Sequence, residues 1–378
     1  MNLLFDLYAT QPNETGKHHG GGRYGEIVFY RMLERGIRVS CFYDSRKWLN
    51  PNIAEVCAAN GIIMYDLKDN DIESIVKQAD IDRIYSCLPE YLNLGRLRCC
   101  EVYGTIHGLR VFEIPYDDYF YRYRTTFRDK VKYCKAFRPL FIKYKRHKFA
   151  KQFVESPFRP IVVSNHTLCS LMIHFPEMAE KNIPVLYSPC TSSANEIEKV
   201  LASERYFLLV SGNRWEKNNL RAIVAFDRLV SRGYAFDIRM KIAGGDSRNF
   251  KYRIQNPDRF DFLGYVDNTE LEWLYANAYL FVYPSLNEGF GYPPLEAMRY
   301  SVPVISSPFA SISEICAGGA LYFNPFSVEE IMNRMLMMIT DSELYRAYAQ
   351  NGYEQYKRIR VRQDKDLDTL IDLIVGKY

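Results

Sequence analysis

The 378-residue sequence predicts an α/β protein with two domains of the Rossmann type. Strand and helix patterns alternate from the first residues onwards, and a second alternating series begins near residue 207. The length exceeds that of a typical single core and fits two domains of ordinary size. Because 48% of the residues are hydrophobic, both cores can be filled.

The first domain begins with the pattern of a nucleotide-binding βαβ unit. Residues 3–8 suit a buried strand, residues 15–25 hold five glycines, and a helical pattern then leads to a second strand at 37–43. The glycine stretch lacks the G-x-G-x-x-G fingerprint. On its own it fits an exposed surface loop and an anion-binding loop equally well.

Later strands and a polar linker indicate where the first domain ends. Further strands are predicted at 62–65, 83–88, 101–106, 161–164 and 185–187. The polar run 188–195 is typical of a hinge. We therefore expect an N-terminal domain over 1–190, a C-terminal domain over 191–355 and an amphipathic terminal segment over 356–378.

The second domain contains the most informative stretch, residues 283–298. A strand ends at Pro284, a loop with Gly289 and Gly291 follows, and two prolines open a helix. Glycines admit a ligand close to the backbone, and the start of a helix attracts phosphate. Glu288 and Glu296 flank this position, and each carboxylate can accept hydrogen bonds from two hydroxyls. The pattern favours a nucleotide sugar, although solvated glutamates beside a simple turn would give the same spacing.

A second turn, residues 211–219, carries cations between a strand and a helix. Arg214 and Lys217 can neutralise a diphosphate leaving group there. Exposed cations at a helix start are the alternative interpretation.

Residues 119–151 are strongly basic and aromatic. Twelve Lys or Arg residues stand against one acid, whereas the whole chain carries a net charge of only +4. This composition fits a solvated helical pair, a surface attracted to anionic lipid, or nucleic-acid binding. No groove-reading module accompanies it, so we expect no nucleic-acid partner.

The cysteines and the hydrophobic runs indicate where the protein is located, and short acidic motifs raise the question of a metal site. The nine cysteines form no C-x-x-C pair, which favours reduced thiols in a cytoplasmic protein. The start lacks the pattern of a signal peptide, and no apolar run reaches about 18 residues. We expect a cytoplasmic protein, either free or peripheral at the inner face of the membrane. The D-x-D matches at 69–71 and 80–82 are short enough to arise by chance, and no metal site is expected.

Residues 284–298 resemble the signature P-S-x-x-E-G-F-G-x-P-x-L-E-A-M of the retaining glycosyltransferases of family 4 (glycosyl transferases group 1). Ser301 stands where that family usually has glycine. Lys217 and Asn218 resemble its R-K-N turn, with Glu216 in place of the arginine. Residues 105–109 are similar to its T-x-H-D-L segment, with Gly108 in place of aspartate.

The resemblance implies the GT-B fold: two Rossmann-like domains face each other across a cleft, and a C-terminal helix crosses back to the N-terminal domain. It also implies roles for the site residues. Glu296 would bind the ribose and Glu288 the donor sugar, while the stretch after residues 262–266 would help to seat the nucleobase. The diphosphate would meet Lys217, Arg214 and the amides near Phe290 and Gly291, and Asn218 would also belong to the donor-binding residues. The sugar pocket would be completed by His107, Gly21 and Gly22.

The implied function is metal-independent, retaining transfer of a hexosyl group from a GDP-, UDP- or dTDP-sugar. The acceptor would be a glycan or lipid-linked glycan of cell-surface polysaccharide synthesis, no cofactor would be needed, and residues 119–151 would contact an anionic membrane. Two alternatives remain: a sugar-nucleotide 2-epimerase on the same fold, and a non-catalytic protein that binds nucleotide or glycan.

Overall fold

The chain folds into two compact units. The computed structural model describes residues 1–12, 19–92, 94, 97–123, 126–190, 204–246 and 254–377. One unit comprises Met1–Leu109, Ile142–Thr191 and Val361–Tyr378, and the other comprises Arg110–Phe141 and Ser192–Arg360. Parts of the predicted glycine stretch and of the predicted hinge lie outside the described residues.

The first unit contains a six-stranded parallel sheet in the order β3-β2-β1-β4-β5-β6. The strands are β1 Leu3–Asp6, β2 Ser40–Tyr43, β3 Met64–Asp66, β4 Arg83–Ser86, β5 Glu101–Ile106 and β6 Arg159–Val162. The helices between them are α1 Gly20–Glu34, α2 Pro51–Ala59, α3 Ile72–Gln78 and, after β6, α8 Asn165–His174. This is the strand order of a doubly wound nucleotide-binding domain. The strand predicted at 185–187 is reduced to a single β-bridge between Val185 and Val162.

The glycine-rich stretch is helical from Gly20 onwards, so the prediction of a loop through Gly25 is wrong in this part. His19 caps α1 by accepting a hydrogen bond from the Gly22 amide at its Nδ1 (3.0 Å). A Cβ at Gly25 would lie 2.5 Å from the Cys87 sulfur. The glycines therefore let the helix approach the end of β4, a packing requirement that outweighs their low helix propensity.

The second unit repeats the same topology. Its parallel sheet has the order β12-β11-β10-β7-β8-β9. The strands are β7 Arg205–Leu209, β8 Ile238–Ala243, β9 Phe260–Gly264, β10 Leu280–Tyr283, β11 Val304–Ser306 and β12 Ala320–Tyr322. The helices are α9 Asn219–Ser231, α10 Asn268–Asn277, α11 Tyr292–Arg299, α12 Ile312–Cys316, α13 Val328–Thr340 and α14 Ser342–Ile374. Two parallel Rossmann-like sheets confirm the predicted fold class.

Residues 110–141 follow β5 in sequence but pack with the second unit. They form α4 Arg110–Glu113, α5 Phe120–Tyr123, α6 Phe127–Tyr133 and the first part of α7 Arg138–Phe149. Ile114, Phe120 and Tyr123 are buried in the core of the second unit. The domain boundary therefore differs from the sequence-based division, which kept 119–151 whole within the first domain.

Helix α14 contributes to both units. Residues up to Arg360 belong to the second unit and those from Val361 to the first. Within the first unit, Leu370 and Ile371 are almost fully buried, and the Arg35 guanidinium lies 2.6 Å from the Asp372 carboxylate. Among the described helices, none combines the length and apolar character needed to cross a bilayer.

Candidate functional site

The candidate site lies in the second unit, where the strand order reverses. Strands β7 and β10 are neighbours in the sheet, but their crossover connections run in opposite directions. Loops 210–218 and 284–291 follow their carboxyl ends. In doubly wound sheets this switch point is where ligands bind.

Loop 210–218 is held in a fixed conformation by Asn218. This residue adopts the left-handed region (φ 57°) directly before α9. Its buried amide donates to the carbonyl oxygens of Pro284 (3.1 Å) and Pro325 (2.7 Å). Asn218 therefore anchors the two site loops to each other.

Lys217 and Glu288 form a buried ion pair between the two loops. Lys217 Nζ donates to Glu288 Oε1 over 2.7 Å and to the Tyr283 hydroxyl over 2.8 Å. The side chains of the pair are only 5% and 10% exposed. Ser285 Oγ donates to the same carboxylate oxygen. Charges removed from water to this degree need such partners, because an unpaired buried charge is strongly destabilising.

The pair keeps Glu288 ionised. Burial alone would raise the pKa of Glu288, but Lys217, then Arg110, and the hydrogen bonds from Lys217 and Ser285 lower it to about 2. Burial lowers the pKa of Lys217, and the Glu288 carboxylate opposes that shift. The Glu288 carboxylate is therefore a hydrogen-bond acceptor at neutral pH and has no proton to donate.

Glu216 holds two arginines beside this pair. Its Oε1 lies 2.7 Å from Arg214 Nη2 and 2.9 Å from Arg110 Nη1. Its backbone carbonyl accepts a hydrogen bond from the Leu286 amide (2.8 Å), which ties the two loops together again. Burial would raise the pKa of Glu216, but the two guanidinium groups lower it overall. Taken together, the two carboxylates, the lysine and the two arginines carry a net charge of +1, which favours an anionic ligand.

The loop after β10 leads into α11 through Gly291, whose φ of 110° is a conformation that favours glycine. The buried Ser311 hydroxyl hydrogen-bonds to the carbonyl oxygens of Glu288 (2.9 Å) and Phe290 (2.7 Å), which fixes the loop. Glu296 is the fifth residue of α11 and is partly exposed.

A cavity of about 560 Å³ opens at the neighbouring strand ends, after β7, β8 and β9. It is lined by Asn213, Gly244, Gly245, Asp246, Phe262, Leu263, Gly264 and Tyr265. A Cβ at Gly212 would lie 2.5 Å from the Cα of Gly245, so the two backbones meet where no side chain fits. The cavity combines exposed aromatic surface at Tyr265 with the Asp246 carboxylate.

The remaining predicted residues lie in the first unit. Gly21 and Gly22 form the first turn of α1. His107 follows β5, and its Nε2 lies 2.9 Å from the Cys87 carbonyl oxygen, with the Tyr24 ring packed edge-on at 4.9 Å. Burial lowers the pKa of His107 to about 4, although the hydrogen bond to Cys87 opposes the shift. His107 is therefore neutral at pH 7, with Nε2 as the donor.

Four contributors to the site were not identified from the sequence. Tyr283, Ser285 and Ser311 lie in or near the signature, but only the folded loops show which atoms they bind. Arg110 lies more than a hundred residues before the loop that it contacts. Among the described residues, no cluster of three or more His, Cys, Asp or Glu side chains forms a metal site.

Comparison with known proteins connects this site to a family. Residues 193–355 match the family model described as "Glycosyl transferases group 1". The chain is 35% identical to the O-antigen chain mannosyltransferase RfbU of Salmonella typhimurium over 150 residues, 38% of this chain and 41% of that protein. It is 39% identical to the O-antigen chain mannosyltransferase B of Escherichia coli over 97 residues, 26% of each chain. The chain thus aligns with less than half the length of these relatives.

Solved structures match over nearly the whole chain. WaaG, a glycosyltransferase involved in lipopolysaccharide biosynthesis, superposes with a TM-score of 0.67 at 13% identity, covering 99% of this chain and 100% of that one. Anabaena HepE in complex with UDP-glucose gives 0.66 at 14% identity, with 98% and 99% covered. Identities this low establish the fold alone. Residues 193–355 thus match the glycosyl transferases group 1 family, and the chain has the GT-B fold.

Proposed function

We propose that the chain is a retaining glycosyltransferase that moves a hexosyl group from a nucleotide diphosphate sugar to a hydroxyl of a glycan or lipid-linked glycan. The observation that carries this proposal is the buried Lys217–Glu288 pair at the switch point of a group 1 domain. A lysine and an ionised carboxylate fixed side by side suit a ligand that presents phosphate next to sugar hydroxyls.

The neighbouring features supply the rest of a donor site. The cavity lined by Asn213 and Tyr265 has room for a nucleobase. Lys217 and Arg214 would neutralise the diphosphate, with the amides near Phe290 and Gly291 as further donors. Glu296 would accept from the ribose hydroxyls.

The proposed mechanism depends on positioning and electrostatics. Glu288, with a pKa of about 2, would accept hydrogen bonds from the donor-sugar hydroxyls and would not act as an acid. The leaving phosphate itself would take the acceptor proton on the face from which it departs, so the configuration is retained. Cations that stabilise the developing phosphate charge contribute roughly a hundred- to a thousand-fold in rate per donor. The proposal includes no metal or cofactor, since these side chains supply the positive charge.

Mannose is the first candidate sugar, because the relatives are named as mannosyltransferases of O-antigen chains. Because the HepE structure is a complex with UDP-glucose, uridine nucleotides should be tested as well. The chain should be incubated with GDP-mannose, UDP-glucose and a dTDP-sugar, with and without a mannosylated lipid acceptor. Mass spectrometry should identify the products, and NMR of the new anomeric position should give the configuration of the linkage.

We expect nucleoside diphosphate release that depends on the acceptor, and an α-linked product from an α-linked donor. Acceptor-independent release of nucleotide would favour the 2-epimerase instead. Tight binding of a donor without any turnover would favour a non-catalytic binding protein.

We further propose that helix α7 contacts an anionic membrane surface. Leu140 and Tyr144 lie one turn apart and are 65% and 62% exposed, and the helix carries Lys143 and Arg146 between and beyond them. Such apolar and cationic residues together favour the interface of anionic lipid.

Flotation with vesicles containing phosphatidylglycerol tests the membrane proposal. The wild type should float with the vesicles at low salt, and K143E/R146E should not. The control K68E/K77E changes the net charge equally at exposed lysines elsewhere in the first unit and should still float. Equal loss of flotation in both variants, or no flotation of the wild type, would contradict the proposal.

A further inference from the structure

Segment 110–123 joins the second unit through contacts with the loops of the candidate site. The Glu113 carboxylate accepts a hydrogen bond from Asn287 Nδ2 (2.6 Å), next to Glu288. The Tyr123 hydroxyl accepts from the Leu220 amide (2.7 Å) in the first turn of α9. With the Arg110–Glu216 hydrogen bond, the segment is therefore fixed to both site loops and to the start of α9.

A buried ion pair fixes the middle of segment 110–123. Asp117 accepts two hydrogen bonds from Arg221 (2.8 and 3.0 Å), and both side chains are only 7% exposed. Phe120 packs edge-on against Trp215 with ring centroids 5.3 Å apart. This packing leaves the start of the segment, Arg110, in a defined position beside Glu216.

Arg110 has hydrogen-bonding capacity that the protein does not use. Nη1 donates to Glu216, which also holds Arg214. The Arg110 Nε–H is shielded from solvent, and within the described part of the chain no acceptor satisfies it. The side chain as a whole is 38% exposed. A guanidinium with unpaired donors in a fork is the group that matches phosphate oxygens best.

The contacts of α4 place Arg110 toward the sugar end of the proposed donor site. Glu113, on the same short helix as Arg110, accepts a hydrogen bond from Asn287, the neighbour of Glu288. The cavity proposed for the nucleobase is lined instead by Asn213 and by residues at the ends of β8 and β9. A phosphate near Arg110 would therefore be the one distal from the base.

We propose that Arg110 binds the distal phosphate of the donor diphosphate, and that the shared carboxylate of Glu216 positions it together with Arg214. This inference rests on the proposed nucleotide-sugar function and adds to it a residue from outside the group 1 domain. The alternative is that Arg110 only braces loop 210–218. In that case its removal would affect the binding of all nucleotides alike.

Binding of nucleoside diphosphates and monophosphates distinguishes these roles. Isothermal titration should be carried out with GDP and GMP, UDP and UMP, and dTDP and dTMP, on the wild type and on R110A, R110K and R228A. Arg228 also lies in the second unit, is half exposed and pairs with Glu329 in the same way, so R228A is the matched control. Thermal melting without ligand establishes that each variant is folded.

For the nucleotide that the wild type prefers, R110A should weaken diphosphate binding about tenfold or more, since a charge-assisted hydrogen bond is lost. Monophosphate binding should weaken by less than about threefold, and R110K should lie between R110A and the wild type. R228A should bind like the wild type.

Equal weakening for diphosphate and monophosphate, or unchanged diphosphate binding, would overturn the role of Arg110 and leave the proposed function intact. If R110A does not fold, diphosphate and monophosphate binding should be compared in R110K instead, and the same two outcomes apply. If the wild type binds none of the diphosphates, the proposed function itself fails, and the inference with it.

Discussion

Replacing Lys217 by methionine tests how the site is built. The change removes the charge that pairs with Glu288 and keeps a side chain of similar length. In the wild type the pKa of Glu288 lies near 2 instead of 4.5, a difference of about 2.5 units. At about 1.36 kcal/mol per unit, the ionised form of Glu288 contributes on the order of 3 kcal/mol to stability at neutral pH.

K217M would leave the Glu288 charge buried without its main partner, so the variant should unfold with a free energy lowered by about 3 kcal/mol at pH 7. Because a lowered acid pKa stabilises the fold only above the unfolded value, the difference between variant and wild type should shrink as the pH falls from 4.5 toward 2. Urea unfolding followed by tryptophan fluorescence is suitable, since Trp215 and Trp273 both lie in the second unit.

The double variant K217M/E288Q separates stability from catalysis. Without a buried charge it should regain at least half of the lost stability, yet its transfer rate should remain at least about a hundredfold below the wild type. If K217M were as stable as the wild type, or if the double variant were as active as the wild type, the proposed roles of the Lys217–Glu288 pair would be contradicted.

Other residues give independent tests. Burial raises the pKa of Asp6 to about 7, so this group should make the fold less stable as the pH rises from 4 to 7, and D6N should flatten that decline in pH-dependent urea unfolding. In the ligand-free protein, His107 should titrate near pH 4 by NMR; a titration near 6.5 would contradict the lowered pKa. G25A should cost about 1–3 kcal/mol because its Cβ would meet a cysteine sulfur, whereas G20A, with open space around it, should unfold like the wild type in thermal melts. S301G should raise the free energy of unfolding by about 1 kcal/mol, because the serine adopts a φ of 54°; an unchanged value would count against that strain.

The sequence was sufficient to predict the parts of the fold that depend on local pattern. Apolar strands followed by turns and helices were recognisable from residues 3 to 283. These strands belong to two parallel sheets, and the second sheet has the same strand order as the first. The departure at Ser301 was visible because the family signature usually has glycine there, and the serine adopts a left-handed φ of 54° after the end of α11.

Features that depend on distant packing could not be predicted. Nothing in the local sequence of residues 110–141 indicates that they join the second unit, since that depends on aromatic side chains meeting a core formed later in the chain. Gly20–Gly25 suggest a loop by propensity, but close packing against Cys87 makes them helical. The anchoring role of Asn218 depends on two carbonyl oxygens that the folded loops bring to it.

The most direct test of the proposed donor site is a crystal structure of the chain with the nucleoside diphosphate that it binds most tightly. We predict the base in the cavity beside Tyr265 and the diphosphate within hydrogen-bond distance of Lys217, with its distal phosphate at Arg110. A nucleotide bound away from the ends of β7 and β10 would contradict the proposed donor site, as would a diphosphate out of reach of Lys217.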